Sequence, residues 1–289
     1  MRTLISVLLA AAVSAGQQLP ITGLAHAGFL VSDLDKARQF YSGILGYEEA
    51  FDLKNEQGQV LLTYFKINDD QFIEVFPGLA PNQDVRMTHV ALRTSDIEKL
   101  HKMLDARGLA PGKISAGRDG NLNFSVKDPG GMRLEFVEYR PGSLHWKARG
   151  KFLSSRRISG HLQHAGVTVA NLDAALAFYR DKLGFQETWR GGPSDQDLRY
   201  VNMRMPGPGG DYIEFMLHST PPTRSQLGSM LHICLEVPDI QAAYKKAVEH
   251  GLPPEDRFQP RVGLSKRWLM STFDPDGSRT EFMEPKRVE

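Results

Sequence analysis

The sequence predicts an α+β fold in which one unit of strand, helix and several antiparallel strands is repeated four times, with helices covering curved sheets. Three observations carry that expectation. Two segments align without a gap at an offset of 138 residues, a shorter copy of their opening recurs inside each, and every copy passes from a helix-spaced apolar pattern into short runs broken by turns.

The first long copy is His26-Ala27-Gly28-Phe29-Leu30-Val31, then Leu34-Asp35, Ala37, Phe40-Tyr41 and Leu45-Gly46-Tyr47. The second is His164-Ala165-Gly166-Val167-Thr168-Val169, then Leu172-Asp173, Ala175, Phe178-Tyr179 and Leu183-Gly184-Phe185. The shorter copies are His89-Val90-Ala91-Leu92 with Ser95-Asp96-Ile97, and His232-Ile233-Cys234-Leu235 with Pro238-Asp239-Ile240. Each opens as a strand after a His and continues into a helix. In the first, Ser32 or Asp33 is the N-cap, Leu34, Ala37, Phe40 and Tyr41 form the apolar stripe, and Gly46 ends the helix. Leu172, Ala175, Phe178 and Tyr179 repeat the stripe beyond Asn171, so both aromatic pairs are expected in the core.

Strand-like runs follow at 60–67, 72–76, 123–126 and 133–139. Asp128-Pro129-Gly130-Gly131 and Asp274-Pro275-Asp276-Gly277 are turns that place a last strand after them. Two domains follow, 22–141 and 160–286, joined by a linker, 142–159, whose basic side chains are expected to be solvated surface.

A chain of 289 residues, 41% of them hydrophobic, is long enough for two cores. Its 35 Lys and Arg against 34 Asp and Glu give a net charge of +1, which excludes a global field drawing it onto nucleic acid or an anionic membrane. A small, roughly neutral ligand is the expected partner. Residues 1–15 have the pattern of an export signal: Arg2, the apolar run Leu4 to Val13, and the small-residue site Val13-Ser14-Ala15 before Gly16. Periplasmic or secreted localisation is therefore expected, and no later run reaches the roughly 20 apolar residues of a membrane span. Cys234 is the only cysteine, so an intramolecular disulfide is impossible.

Every unit places one His in its first strand and one Glu in a late strand: His26 with Glu74, His89 with Glu135, His164 with Glu214, and His232 with Glu281, at separations of 48, 46, 50 and 49 residues. A Glu inside an apolar strand, as in Phe72-Ile73-Glu74-Val75-Phe76, faces away from its neighbours. If that face lines a cup, an unpaired carboxylate there is costly and a divalent cation is a natural partner. Two neutral imidazoles and two carboxylates balance one divalent ion and leave positions for substrate or water, which admits zinc, nickel, cobalt, manganese or iron(II). A single His or strand Glu is ordinarily structural; four copies in register argue otherwise. His101, His145, His161, His218 and His250 lack the pattern. Glu138 and Glu284 also repeat, but their opposite parity points them away from the cup. Trp189, Tyr200, Trp268 and 206–210 are expected to be ordinary loop and packing residues rather than a pocket mouth.

At these residues the sequence resembles the vicinal oxygen chelate superfamily, which includes glyoxalase I, extradiol ring-cleaving dioxygenases and bleomycin-resistance proteins. The resemblance rests on His-x-x-x-x-Val, Asp-Leu-Asp and Phe-Tyr-x-x-x-Leu-Gly and spans about Thr22 to Pro285. It implies βαβββ modules paired into two glyoxalase-like domains, each closing a cup around one metal that holds adjacent oxygens of a substrate. His26, Glu74, His89 and Glu135 would form one site, and His164, Glu214, His232 and Glu281 the other. Glu135 and Glu281 fall where glyoxalase I carries a carboxylate able to act as base, so lyase or isomerase chemistry is implied. Leu30 and Thr168 stand where glyoxalase I carries an Arg for glutathione, and Gly78 and His218 where it carries an Asn, so a glutathione substrate is not expected.

Two other readings stay open. His164, His232 and Glu281 match the facial triad of iron(II) extradiol dioxygenases. Against that, Glu214 takes the place of a catalytic His, and 256–272 contains neither His nor Tyr. The third is a non-catalytic binding or resistance protein, against which two intact ligand sets argue.

Overall fold

The structure, a computed structural model, describes residues 18–194 and 196–289; the expected export signal lies outside them. Two eight-stranded sheets account for the four units. The first contains β1 (Ile21–Val31), β2 (Glu49–Lys54), β3 (Val60–Lys66), β4 (Phe72–Pro77), β5 (Met87–Thr94), β6 (Ser115–Ala116), β7 (Leu122–Lys127) and β8 (Arg133–Glu138), in the order β2-β3-β4-β1-β5-β8-β7-β6. The second repeats it with β9 (Leu162–Val169), β10 (Gln186–Gly191), β11 (Tyr200–Arg204), β12 (Tyr212–Leu217), β13 (His232–Glu236), β14 (Arg261–Val262), β15 (Arg267–Phe273) and β16 (Arg279–Arg287). In each, the opening strands of two consecutive units pair antiparallel at the centre, and each lies parallel to the last strand of its own unit.

The helices are α1 (Leu34–Arg38), α2 (Ile97–Ala106), α3 (Leu144–Lys147), α4 (Leu172–Leu176), α5 (Arg224–Met230) and α6 (Ile240–Glu249). Asp33, rather than Ser32, caps α1, and Asn171 caps α4, each carboxylate or amide oxygen accepting from backbone N–H groups of the first turn. Both helices then widen into a π turn, Gln39–Ile44 and Ala177–Lys182, before Gly46 and Gly184 end them at positive φ. Phe40, Tyr41, Phe178 and Tyr179 are buried as expected.

The two tyrosines also tie the domains together. Tyr41 Oη donates to Asp274 Oδ2 at 3.3 Å, and Tyr179 Oη to Asp128 Oδ2 at 3.0 Å, so each reaches the Asp-Pro turn of the other half. Gln71 and Asp211, equivalent positions before β4 and β12, make a second reciprocal pair: Gln71 Oε1 accepts from Leu162 N, and Asp211 Oδ2 from Leu24 N, both at 2.8 Å. One apolar cluster runs through both halves.

Glu138 and Glu284 turn away from the cups and accept from the first backbone N–H of α2 and α6 at 2.8 Å. Their repetition is thus helix capping. The linker keeps Lys147, Arg149, Lys151 and Arg156 exposed, as expected, and folds α3 onto the first sheet, where buried Lys66 Nζ donates to the carbonyls of Ala148 and Lys151. His145 of α3 is buried too.

Candidate metal centre

The cup of each sheet is lined by side chains of its four central strands, arranged in two adjacent rows. In the first domain one row is Glu74, Gly28, His89, and the next is Phe72, His26, Ala91, Glu135. Gly28 is the device that lets the rows interlock: a Cβ there would stand 2.5 Å from His89 Cε1. The ring of His89 therefore swings over the glycine toward His26, and the two Nε2 atoms lie 3.0 Å apart.

Around that pair the carboxylates close in. Glu74 Oε1 is 3.3 Å from His26 Nε2 and its Oε2 3.3 Å from His89 Nε2, while the Glu135 oxygens lie 3.7 and 3.9 Å from the same atoms. Thr88 fixes the tautomer of His89. Its hydroxyl donates to Gly28 O at 3.2 Å, leaving the oxygen to accept from His89 Nδ1 at 2.8 Å, so the lone pair of Nε2 faces the centre.

Protonation suits the same role. Burial lowers His26 to about 3, keeping it neutral. Burial alone would raise Glu74, but the facing His26 and His89, in their protonated forms, outweigh it and hold the carboxyl at about 2. Burial raises Glu135 above the usual carboxylate value, with His89 opposing. Two imidazole nitrogens, an ionised carboxylate and a more basic one fit a divalent ion. His26, His89 and Glu135 offer atoms within 4.8 Å of one another, and Glu74 joins them through both imidazoles.

The second cup has the same rows: Glu214, Gly166, His232, and Tyr212, His164, Cys234, Glu281. His164 and His232 bring their Nε2 atoms to 3.2 Å, and Glu214 Oε2 lies 3.8 and 3.5 Å from them. His232 Nδ1 donates to Met230 O at 3.0 Å, again turning the Nε2 lone pair inward. Here the ligand atoms form two groups of three where the first cup has one. His164, Glu214 and His232 form one triad; His164, Cys234 and Glu281 form another. Burial, then repulsion from Glu281, raises Glu214 to about 8. Burial keeps both histidines well below their usual value.

A model of the Glyoxalase/Bleomycin resistance protein/Dioxygenase superfamily matches residues 23–136 and 161–282, covering both cups. The chain belongs to that superfamily. Within it, the chain is 27% identical over 108 residues to the ethylmalonyl-CoA/methylmalonyl-CoA epimerase of Cereibacter sphaeroides, a match covering 36% of this chain and 81% of the relative. Among solved structures it resembles the 2,3-dioxygenase LapB of Pseudomonas sp. KL28, with a TM-score of 0.69, 17% identity and 93% of each chain covered. The homoprotocatechuate 2,3-dioxygenase of Brevibacterium fuscum, in complex with 3,4-dihydroxyphenylacetate, gives a TM-score of 0.66 at 19% identity, over 94% of this chain and 82% of that one. The superfamily thus supplies the fold, the paired units and the cup, and its members above act on small organic molecules.

Inside this superfamily scaffold, several functional positions escape the His and Glu pattern. Arg133 and Arg279 each precede the last Glu by two residues, which puts them on the cup face. Arg133 Nη1 lies 3.3 Å from Glu135 Oε2, and Arg279 Nη1 3.1 Å from Glu281 Oε2. The repeat itself carried that signal, in Arg133-Leu134-Glu135-Phe136 against Arg279-Thr280-Glu281-Phe282. His145 gave none. It enters one end of the first cup from the linker, within 4.4 to 5.0 Å of the rings of Phe51, Tyr64, Phe72 and Tyr139. Its Nδ1 meets Asn121 Nδ2 at 2.8 Å and Asp119 Oδ2 at 3.2 Å. Trp189 and Tyr200, expected to be ordinary packing, line a cavity of about 340 Å³ in the second cup together with Asn202, Glu214, Arg279 and Glu281. Trp268 packs on the core as expected.

Proposed function

We propose that this chain is a metal-dependent enzyme that moves a proton at a carbon beside a chelated oxygen of a small organic molecule, and that the first cup is its active centre. The observation that carries the reading is the convergence of His26, His89 and Glu135, with Glu74 against both imidazoles and the tautomer of His89 set by Thr88, an arrangement suited to one divalent ion. Zinc, nickel, cobalt, manganese and iron(II) are all compatible with that donor set. An ion held there would supply Lewis acidity to a substrate oxygen.

The protein's own groups do the rest. Glu74, strongly acidic, stays a ligand; Glu135, raised by burial, is the better proton acceptor and the proposed base. His145 and its aromatic neighbours close one end of the cup and exclude water there. Glu135 and half-exposed Arg133 border the way in, so Arg133 favours a substrate carrying a carboxylate or a comparable negative group.

The epimerase similarity supports proton transfer as the reaction class. An iron(II) ring-cleaving role would fall on His164, His232 and Glu281, where Glu281 groups with Cys234 instead of with His232. A non-catalytic binding role would leave the raised Glu135 beside the paired imidazoles of the first cup without a use. We further propose export, with 1–15 removed, on the strength of Arg2 and the apolar run after it. A mature chain beginning elsewhere than near Gly16 in the exported fraction would contradict this.

The enzymatic reading is tested in D₂O with the full chain loaded with each metal in turn, against a panel of α-hydroxycarbonyl compounds and 2-methyl-branched acyl thioesters. Deuterium should enter at the carbon next to the carbonyl. Glu135→Gln should slow that exchange about 10²- to 10⁴-fold. Exchange at the wild-type rate in Glu135→Gln, or oxygen uptake with iron(II) and a catechol in place of exchange, would overturn it.

A further inference from the structure

The two arginines that precede the last glutamate differ in where they go. Arg133 is 42% exposed and pairs with Glu135 Oε2 at 3.3 Å. Arg279 is 14% exposed and lies inside the second cup, its Nη2 2.9 Å from both ring nitrogens of His232. Nδ1 of that ring gives its proton to Met230 O, and an Nη2 equally close to both nitrogens stands over the ring and not in line with either lone pair. Arg279 thus sets a fixed positive charge against the imidazole whose counterpart, His89 in the first cup, faces the ligand centre unopposed. Arg279 also pairs with Glu281, which groups with its register neighbour Cys234 and not with His232.

We propose that Arg279 is the resident cation of the second cup and keeps it free of metal, so that a divalent ion bound by the chain goes to the first domain and the second presents a metal-free cavity. A guanidinium held against the His232 ring repels a divalent ion at that ring, and each would satisfy the charge of Glu281. The inference about the second cup goes beyond the reading of the first and can hold without it.

The test is the stoichiometry of zinc, and of cobalt by its visible absorption, bound to the full chain after removal of excess metal. Wild type should hold one equivalent, and Arg279→Met, which keeps the aliphatic stem but not the charge, should hold two. The added equivalent should vanish when His164→Ala and His232→Ala are combined with Arg279→Met. Arg279→Lys, which keeps the charge, should stay at one. Two equivalents in wild type would overturn the proposal whatever the variants do, as would a folded Arg279→Met that gains none. No metal in wild type but one equivalent in Arg279→Met would uphold it while refuting the active centre assigned to the first cup.

Discussion

In the first cup Ala91 separates His26 from Glu135 and Arg133 turns to the surface; in the second, Cys234 fills the matching place and Arg279 lies against His232. The linker seals one end of the first cup with His145, whereas the second contains a cavity bordered by Trp189 and Tyr200. Duplication has kept the strands, the glycine under each second imidazole and the helix-capping glutamates, while side chains on the concave face have diverged. The same frame therefore gives one cup suited to an ion and one that already holds a cation of its own.

The largest expected difference between the cups is catalytic. Glu135→Gln should raise the barrier by about 3–5 kcal/mol, the equivalent of the 10²- to 10⁴-fold loss above. Glu281→Gln should leave turnover within about twofold of wild type. Equal losses in the two variants, measured as kcat under saturating metal, would erase the distinction.

Next in size is the plug. Removing the buried ring with His145→Ala should lower unfolding free energy by about 2–4 kcal/mol, as for other large buried side chains, and urea denaturation measures it. A loss under about 0.5 kcal/mol, the range of surface substitutions, would mean that α3 does not seal the cup in solution.

The glycines sharpen the comparison further. Gly28→Ala and Gly166→Ala each force an imidazole aside and should each cost about 1–3 kcal/mol of stability. Metal affinity, followed by competition with a chelator, should fall about 10- to 100-fold in Gly28→Ala only, as when a group that orients a ligand is disturbed.

The smallest effect concerns the junctions. Gln71 makes its interdomain bond uncharged, but its counterpart Asp211 also binds His161 Nε2 at 2.8 Å. That bond, with Glu236, raises His161 to about 9. The stabilisation is then complete below pH about 6.5 and lost as pH rises through about 9. With the ring a third exposed and solvent-screened, its size is about 1 kcal/mol. The stability gap between wild type and His161→Gln should shrink by that amount across the window, while the gap for Gln71→Ala stays constant.

Much of this was legible in the sequence because duplication acts as an internal control. Four His and Glu pairs at near-constant separation located the concave face, and strand parity correctly set Glu138 and Glu284 apart from it. Arg133 and Arg279 were equally legible by parity, but their different directions were not, since Ala91 and Cys234, one row away, alter the space around them. His145 was illegible for another reason. It belongs to no repeat, and its burial follows from α3 closing back on a sheet whose strands lie far from it in the chain. Asp33, Asn171 and the turn glycines behaved as local chemistry dictates, whereas the π turns that seat both aromatic pairs come from tertiary packing.

The central claim is that the ion belongs to the first cup, and paired histidine substitutions address it most directly. Elemental analysis of the full chain should find the bound metal abolished by His26→Ala with His89→Ala and unchanged by His164→Ala with His232→Ala. Metal that survives the first pair and disappears with the second would contradict the account.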